Sequence, residues 1–293
     1  MSEALSHHGK FLHPHRIFTV FKWTVYLLLA WNAVQFFQED LAASAETFGN
    51  TITWRNLVEA YSATIDTAAW VVLLLIFEFE TAIIPDEKLK GRLSWFLLAV
   101  KSACYFFIVY AFYGYINKYF VITGLVPFNI ADVCSLVGTD WNYVVDLDDY
   151  PPIDAAACAT LQGQELLQVS GTEIIGTREA LDSAWGLAVI DIINAGTWLV
   201  IVALLQLEVL LQLGDRLTDR MLSAGKYLKG ILYLILFLAA AYWGFEGSFL
   251  DFWDAFLWLV AFIFIELNIF QWHEETEEVA EAEEAAQNQA ISR

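Results

Sequence analysis

Three apolar stretches carry the same spaced polar residues: an Asp or Asn, a Trp four residues on, and acidic or amide residues eight and ten beyond the Trp. The copies are Asp66-Trp70-Glu78-Glu80, Asn194-Trp198-Gln206-Glu208 and Asp254-Trp258-Glu266-Asn268. Polar groups at membrane depth are costly unless a protein interior or a cavity satisfies them. Three repetitions of that cost point to a polar centre that contacts an ion or a small polar solute. On a helix, positions 66, 70 and 80 fall within about 80° of one another, while Glu78 points about 120° away from Asp66. The expected solute path therefore comprises Asp66, Trp70, Glu80, Asn194, Trp198, Glu208, Asp254, Trp258 and Asn268.

Opposite charge comes from Lys22, Lys101 and Lys229. Each begins an apolar run and is followed four residues later by Tyr26, Tyr105 or Tyr233. Pairing with acids at similar depth lowers the desolvation cost of both partners. Lys22, Lys101, Lys229, Glu78, Gln206 and Glu266 are thus expected to form an intramembrane ion-pair layer, acting as an inner gate. The plainer alternative is that the lysines snorkel to the interface while Trp and Tyr anchor it.

These residues must be positioned by helices. The hydrophobic fraction is 58 %, mean hydropathy is +0.51, and several runs approach the ~20 residues that cross a bilayer. The expected fold is an all-α integral membrane protein with six transmembrane helices near 17–37, 61–84, 95–117, 187–211, 230–247 and 252–271. Residues 64–117 align without a gap with 192–245 at an offset of 128, matching Trp70/Trp198, Glu80/Glu208, Arg92/Arg220, Lys101/Lys229 and Tyr105/Tyr233. Asp251-Phe252-Trp253-Asp254 repeats the pattern of Asp191-Ile192-Ile193-Asn194, which brings in the sixth helix. The chain reads as three repeated helical hairpins pointing the same way, unlike the inverted repeats of many transporters. Mitochondrial carriers also have three hairpins, but their Pro-x-acid-x-x-basic motif ends odd-numbered helices. Here Pro85-Asp86-Glu87-Lys88 follows an even one, which excludes that resemblance.

Between the runs, 1–16 is an expected cytoplasmic segment, 38–60 an outer loop, 124–186 an extracytoplasmic insertion and 272–293 an acidic cytoplasmic tail. Helices 1–3 fall within 17–123 and helices 4–6 within 187–271. Twelve Lys and Arg lie on the inner side, against Arg55, Lys118 and Arg178 outside. That bias puts both termini in the cytoplasm and the chain in the plasma or bacterial inner membrane. Cys134 and Cys158 share the insertion, where an oxidising compartment permits a disulfide; Cys104 reads as a packing residue.

A net charge of -20 argues against nucleic acid as a partner. The expected partners are the lipid bilayer and either a second copy of the chain or a membrane partner subunit. His7, His8, His13, His15 and His273 flank the apolar runs without a defined ligand spacing, so neither a metal nor a cofactor is expected. No phosphate loop, Gly-x-Ser-x-Gly elbow or His-Glu-x-x-His motif occurs, which leaves an enzyme least supported. The leading expectation is a channel-like or carrier-like path; the alternative is a non-catalytic structural or interaction subunit.

Overall fold

The computed structural model describes residues 14–48, 53, 57–80, 84, 91–213 and 218–264. His7, His8, His13 and His273, the acidic tail, parts of both basic connections, and Glu266 and Asn268 lie outside these residues.

The chain is mainly helical. In order come α1 (Pro14–Phe48), α2 (Leu57–Ala60), α3 (Ser62–Glu78) and α4 (Arg92–Thr123). A small cap follows, and then α6 (Arg178–Leu213) and α7 (Asp219–Glu246). A last helix, α8, is described over 249–264. Ser248 starts it with a reciprocal cap: its hydroxyl donates to Asp251 Oδ2 at 2.8 Å and accepts from the Asp251 N–H at 3.2 Å. That bonding satisfies groups at the helix start that would otherwise be orphaned.

Burial on α4 runs along one stripe, Leu97, Cys104, Ile108, Ala111, Gly114 and Ile122. The remaining faces display Trp95, Phe96, Phe106, Phe107 and Phe120 outward. A helix that is apolar all round belongs in lipid or in the core of a larger assembly. Among the described residues, Arg92–Thr123, Arg178–Glu208 and Ser223–Glu246 are long and apolar enough to cross a membrane. That makes three spans where six were expected. α1 dilutes its apolar run with Lys22, Asn32 and Gln35, α3 has 17 residues, and α8 is described only to 264.

Two further expectations need correction. The outer loop at 38–60 is partly helix: α1 continues to Phe48, and α2 occupies Leu57–Ala60. Polar residues such as Gln38, Glu39 and Asp40 end the apolar run without ending the helix, because they are adequate helix formers at a polar end. The fold is also not wholly α. The insertion folds as β1 (Leu125–Phe128), β2 (Asn142–Tyr143), α5 (Ala155–Leu161), β3 (Leu166–Val169) and β4 (Ile174–Thr177). Its sheet has the order β1-β3-β4-β2, with β2 parallel to β4 and the other pairs antiparallel. Gly171, at φ 81°, makes the turn between β3 and β4, a conformation that glycine adopts without strain.

Strand alternation gives this sheet two buried faces. Leu167, Val169 and Ile174 pack toward α6 and α7, beside Leu181, Ala184 and Trp243. Leu166 and Ile175 pack toward α5, with Val133, Ile153 and Leu161. The Cys134–Cys158 disulfide ties α5 to the preceding 3-10 turn, closing a separation of 24 residues.

Close helix approach depends on Gly114. A Cβ there would lie 2.8 Å from Val58 O and 3.0 Å from Ser62 Cβ, so α4 meets α2 and α3 almost backbone to backbone. Gly114→Ala should destabilise the protein by about 1–3 kcal/mol through overpacking, read as a lower melting temperature in detergent. Replacing both Cys134 and Cys158 by Ser should cost about 3 kcal/mol. Protease cleavage within 125–177, faster than in the wild type, would report that loss.

Candidate functional site

The polar residues of the helices gather in two layers separated by aromatic packing. The first layer surrounds a cavity of ≈ 70 Å³ at the cap end of the bundle. A water needs about 10–15 Å³, so the cavity has room for several waters or a small solute. Asp66, Asn194 and Asp254 line it, and so do Trp70, Trp198 and Trp258.

The four-residue spacing has a direct cause. One helical turn separates acid from indole, and the Trp70 side chain hydrogen-bonds Asp66 as Trp258 does Asp254. Neighbouring helices add Tyr115, whose hydroxyl donates to Asp66 Oδ2 at 3.4 Å, and Asn32, whose amide donates to Asp254 Oδ1 at 2.8 Å.

Below the carboxylates the three indoles meet. The Trp70 ring centroid lies 6.3 Å from those of both Trp198 and Trp258. Phe262 fills the middle, 4.3 Å from Trp198, 6.4 Å from Trp70 and 6.5 Å from Trp258. The position four residues after each Trp is Leu74, Val202 and Phe262. Only one Phe is needed, because a single ring occupies the centre of the cluster.

The second layer lies at the other end of α3 and α6. Lys22 pairs with Glu78, and the Tyr26 hydroxyl donates to the same carboxylate at 3.2 Å. Lys101 donates to both oxygens of Glu80 at 2.9 Å, and Lys229 to Glu208 Oε2 at 2.9 Å. Among the described residues Gln206 pairs with no lysine; its amide donates to Tyr105 Oη at 3.4 Å. The expected path residues therefore divide. Six line the cavity, Glu80 and Glu208 sit in ion pairs away from it, and Asn268 lies outside the described residues with Glu266.

Several lining residues were not singled out in the sequence. Asp191 and Asp251 precede Asn194 and Asp254 by three residues and share their helix faces, so the signal was present; the first copy has Ala63 there. Glu39, Asp40 and Lys118 also line the cavity, with Asp148 from the cap. Nothing in the sequence around Asp148 reveals that it folds back over the bundle. It pairs with Lys118. Asp40 accepts from the Thr64 backbone N–H at 2.9 Å and from its hydroxyl at 2.6 Å, holding α1 to the first turn of α3. Among the described residues the lining thus carries seven carboxylates and one ammonium. A second cavity, ≈ 50 Å³, lies against the cap and shares Asp40, Lys118 and Asp148 with the first.

In the cap, burial pushes the Asp146 carboxyl above its usual range, although its bond to the Leu147 N–H opposes this. Burial, followed by the nearby Asp148 charge, raises the Tyr150 phenol in the same way. A raised carboxyl favours the protonated fold, so its stabilising contribution is present at acid pH and lost as pH rises through the folded value. Asp146→Asn should therefore raise the melting temperature at neutral pH, and the gain should vanish below the ordinary carboxylate range.

The three ion pairs differ in exposure. Side chains are 9 % and 3 % exposed for Lys22–Glu78, 32 % and 26 % for Lys101–Glu80, and 20 % and 21 % for Lys229–Glu208. Lys22→Met removes the ammonium that meets Glu78 Oε1 and should cost about 3–5 kcal/mol. Lys101→Met should cost about 1 kcal/mol or less. Adding Glu78→Gln to Lys22→Met should recover most of the loss in thermal melts.

No family model matches this chain, and neither do any curated protein or solved structure.

Proposed function

We propose that this chain is a multi-pass membrane protein whose helices provide a channel-like or carrier-like path for an ion or small polar solute. One observation carries the reading: along the bundle, a carboxylate-lined cavity, an aromatic floor and a layer of Lys–acid pairs follow one another. That sequence of compartments suits binding, closure and a second barrier.

In this reading all six apolar runs belong to the membrane domain as three hairpins, with α1, α3 and α8 completing what α4, α6 and α7 begin. The shared offset of 21 residues in Lys101–Glu80 and Lys229–Glu208 supports that repeat. The cap lies outside and both termini in the cytoplasm, in keeping with the positive-inside bias. The cavity then opens toward the acidic outer face, and the lysine layer guards the cytoplasmic end. The Trp/Phe cluster is closed, so this conformation is an occluded one.

Liposomes holding the purified protein should show flux above empty liposomes across a broad ion panel. Phe262→Ala should raise that flux several-fold by opening the floor, and Glu80→Gln with Glu208→Gln should change its rate. Wild-type flux equal to that of empty liposomes would count against the path.

The outward aromatic face of α4 favours a second reading, a non-catalytic subunit of a membrane complex or homo-oligomer. Mass measurement after gentle-detergent purification separates the two, because a stoichiometric foreign partner supports the subunit.

A further inference from the structure

The cavity at the cap end has a chemistry more specific than a polar compartment. Among the described residues its wall carries seven carboxylates and one ammonium, Lys118, which is already paired with Asp148. Such an excess of one sign in a walled cleft concentrates the opposite charge. Yet among the described residues no three His, Cys, Asp or Glu side chains gather closely enough to hold a metal ion. The negative charge is spread around the wall. Meanwhile the floor is made of indoles, and Trp243 and Tyr115 stand beside it. Thr67, only 6 % exposed, also lines the cavity. Its hydroxyl has no hydrogen-bond partner among the described residues.

Distributed carboxylates over an aromatic floor suit a cation whose charge is diffuse and whose surface is partly apolar. A compact metal ion needs converging oxygens at short range, whereas an alkylammonium gains from indole faces and from carboxylates at longer range. We propose that this cavity is a binding site for a small organic ammonium ion, with Asp66, Asp191 and Asp254 balancing its charge and Trp70, Trp198 and Trp258 beneath its carbon surface. Lys118 acts as a tethered competitor: its ammonium occupies part of the acidic wall and holds the cap residue Asp148 over the entrance. The proposal deepens the solute-path reading by naming the solute class, and rests on it for the cavity's role.

Binding is measured on the full chain in detergent, using tetramethylammonium chloride at constant ionic strength and tryptophan fluorescence as the readout. A saturable change is expected, with sodium failing to compete at equal concentration. Asp254→Asn should weaken binding about tenfold, the loss of one favourable charge contact, whereas the exposed Asp140→Asn should leave it unchanged. Lys118→Met should tighten binding, a gain that misfolding cannot mimic. The proposal is overturned if the wild type shows no saturable response, if neopentyl alcohol, an uncharged analogue of similar size, gives the same response, or if calcium displaces the probe at lower concentration. Sodium flux in liposomes without tetramethylammonium binding would sink this proposal and leave the path standing. Binding without flux of any tested ion would do the reverse.

Discussion

The constraint behind this architecture is that a charge inside an apolar bundle must find a partner or a cavity. Lys22 and Glu78 show it most sharply, since both side chains are almost wholly buried and lie on different helices. An unpaired ion there would cost several kcal/mol even after relaxation. The pairing therefore fixes how α1 sits against α3. Lys101–Glu80 and Lys229–Glu208 impose the same demand on α4 with α3 and on α7 with α6. Each of these contacts ties one pair of neighbouring helices together, alongside close packing such as that at Gly114.

At the cap end the problem is solved differently. Acids outnumber cations there, and they are met by short-range donors and by open space. Tyr115, Asn32, Thr64 and the indoles of Trp70 and Trp258 each supply a donor to one carboxylate. The aromatic cluster then separates this cavity-lining layer from the lysine layer. Both regions are polar, but only the lysine layer is balanced by cations one for one among its described carboxylates.

Much of this was legible in the residues themselves. The Asp/Asn-x-x-x-Trp spacing anticipated three indoles on corresponding helix faces, because a four-residue step is one helical turn. The matching positions of Lys101 and Lys229 anticipated two equivalent contacts. What the spacing could not carry was contact between segments far apart in sequence. Asp148 meets Lys118 only because the cap folds back, and Asn32 reaches Asp254 across 222 residues. The sheet escaped notice for another reason. Its strands are two to four residues long, too short for alternation to stand out against the apolar background.

The junction between cap and bundle has a mechanical consequence. β4 ends at Thr177 and α6 begins at the next residue, with the Thr177 hydroxyl accepting from the Ala180 N–H at 3.3 Å. No slack intervenes. From Arg178 to Trp198 the helix rises about 30 Å, passing Asp191 and Asn194 on the way. Cap and cavity are therefore joined by one unbroken helix, since the sheet continues without a linker into the element that carries Asp191, Asn194 and Trp198.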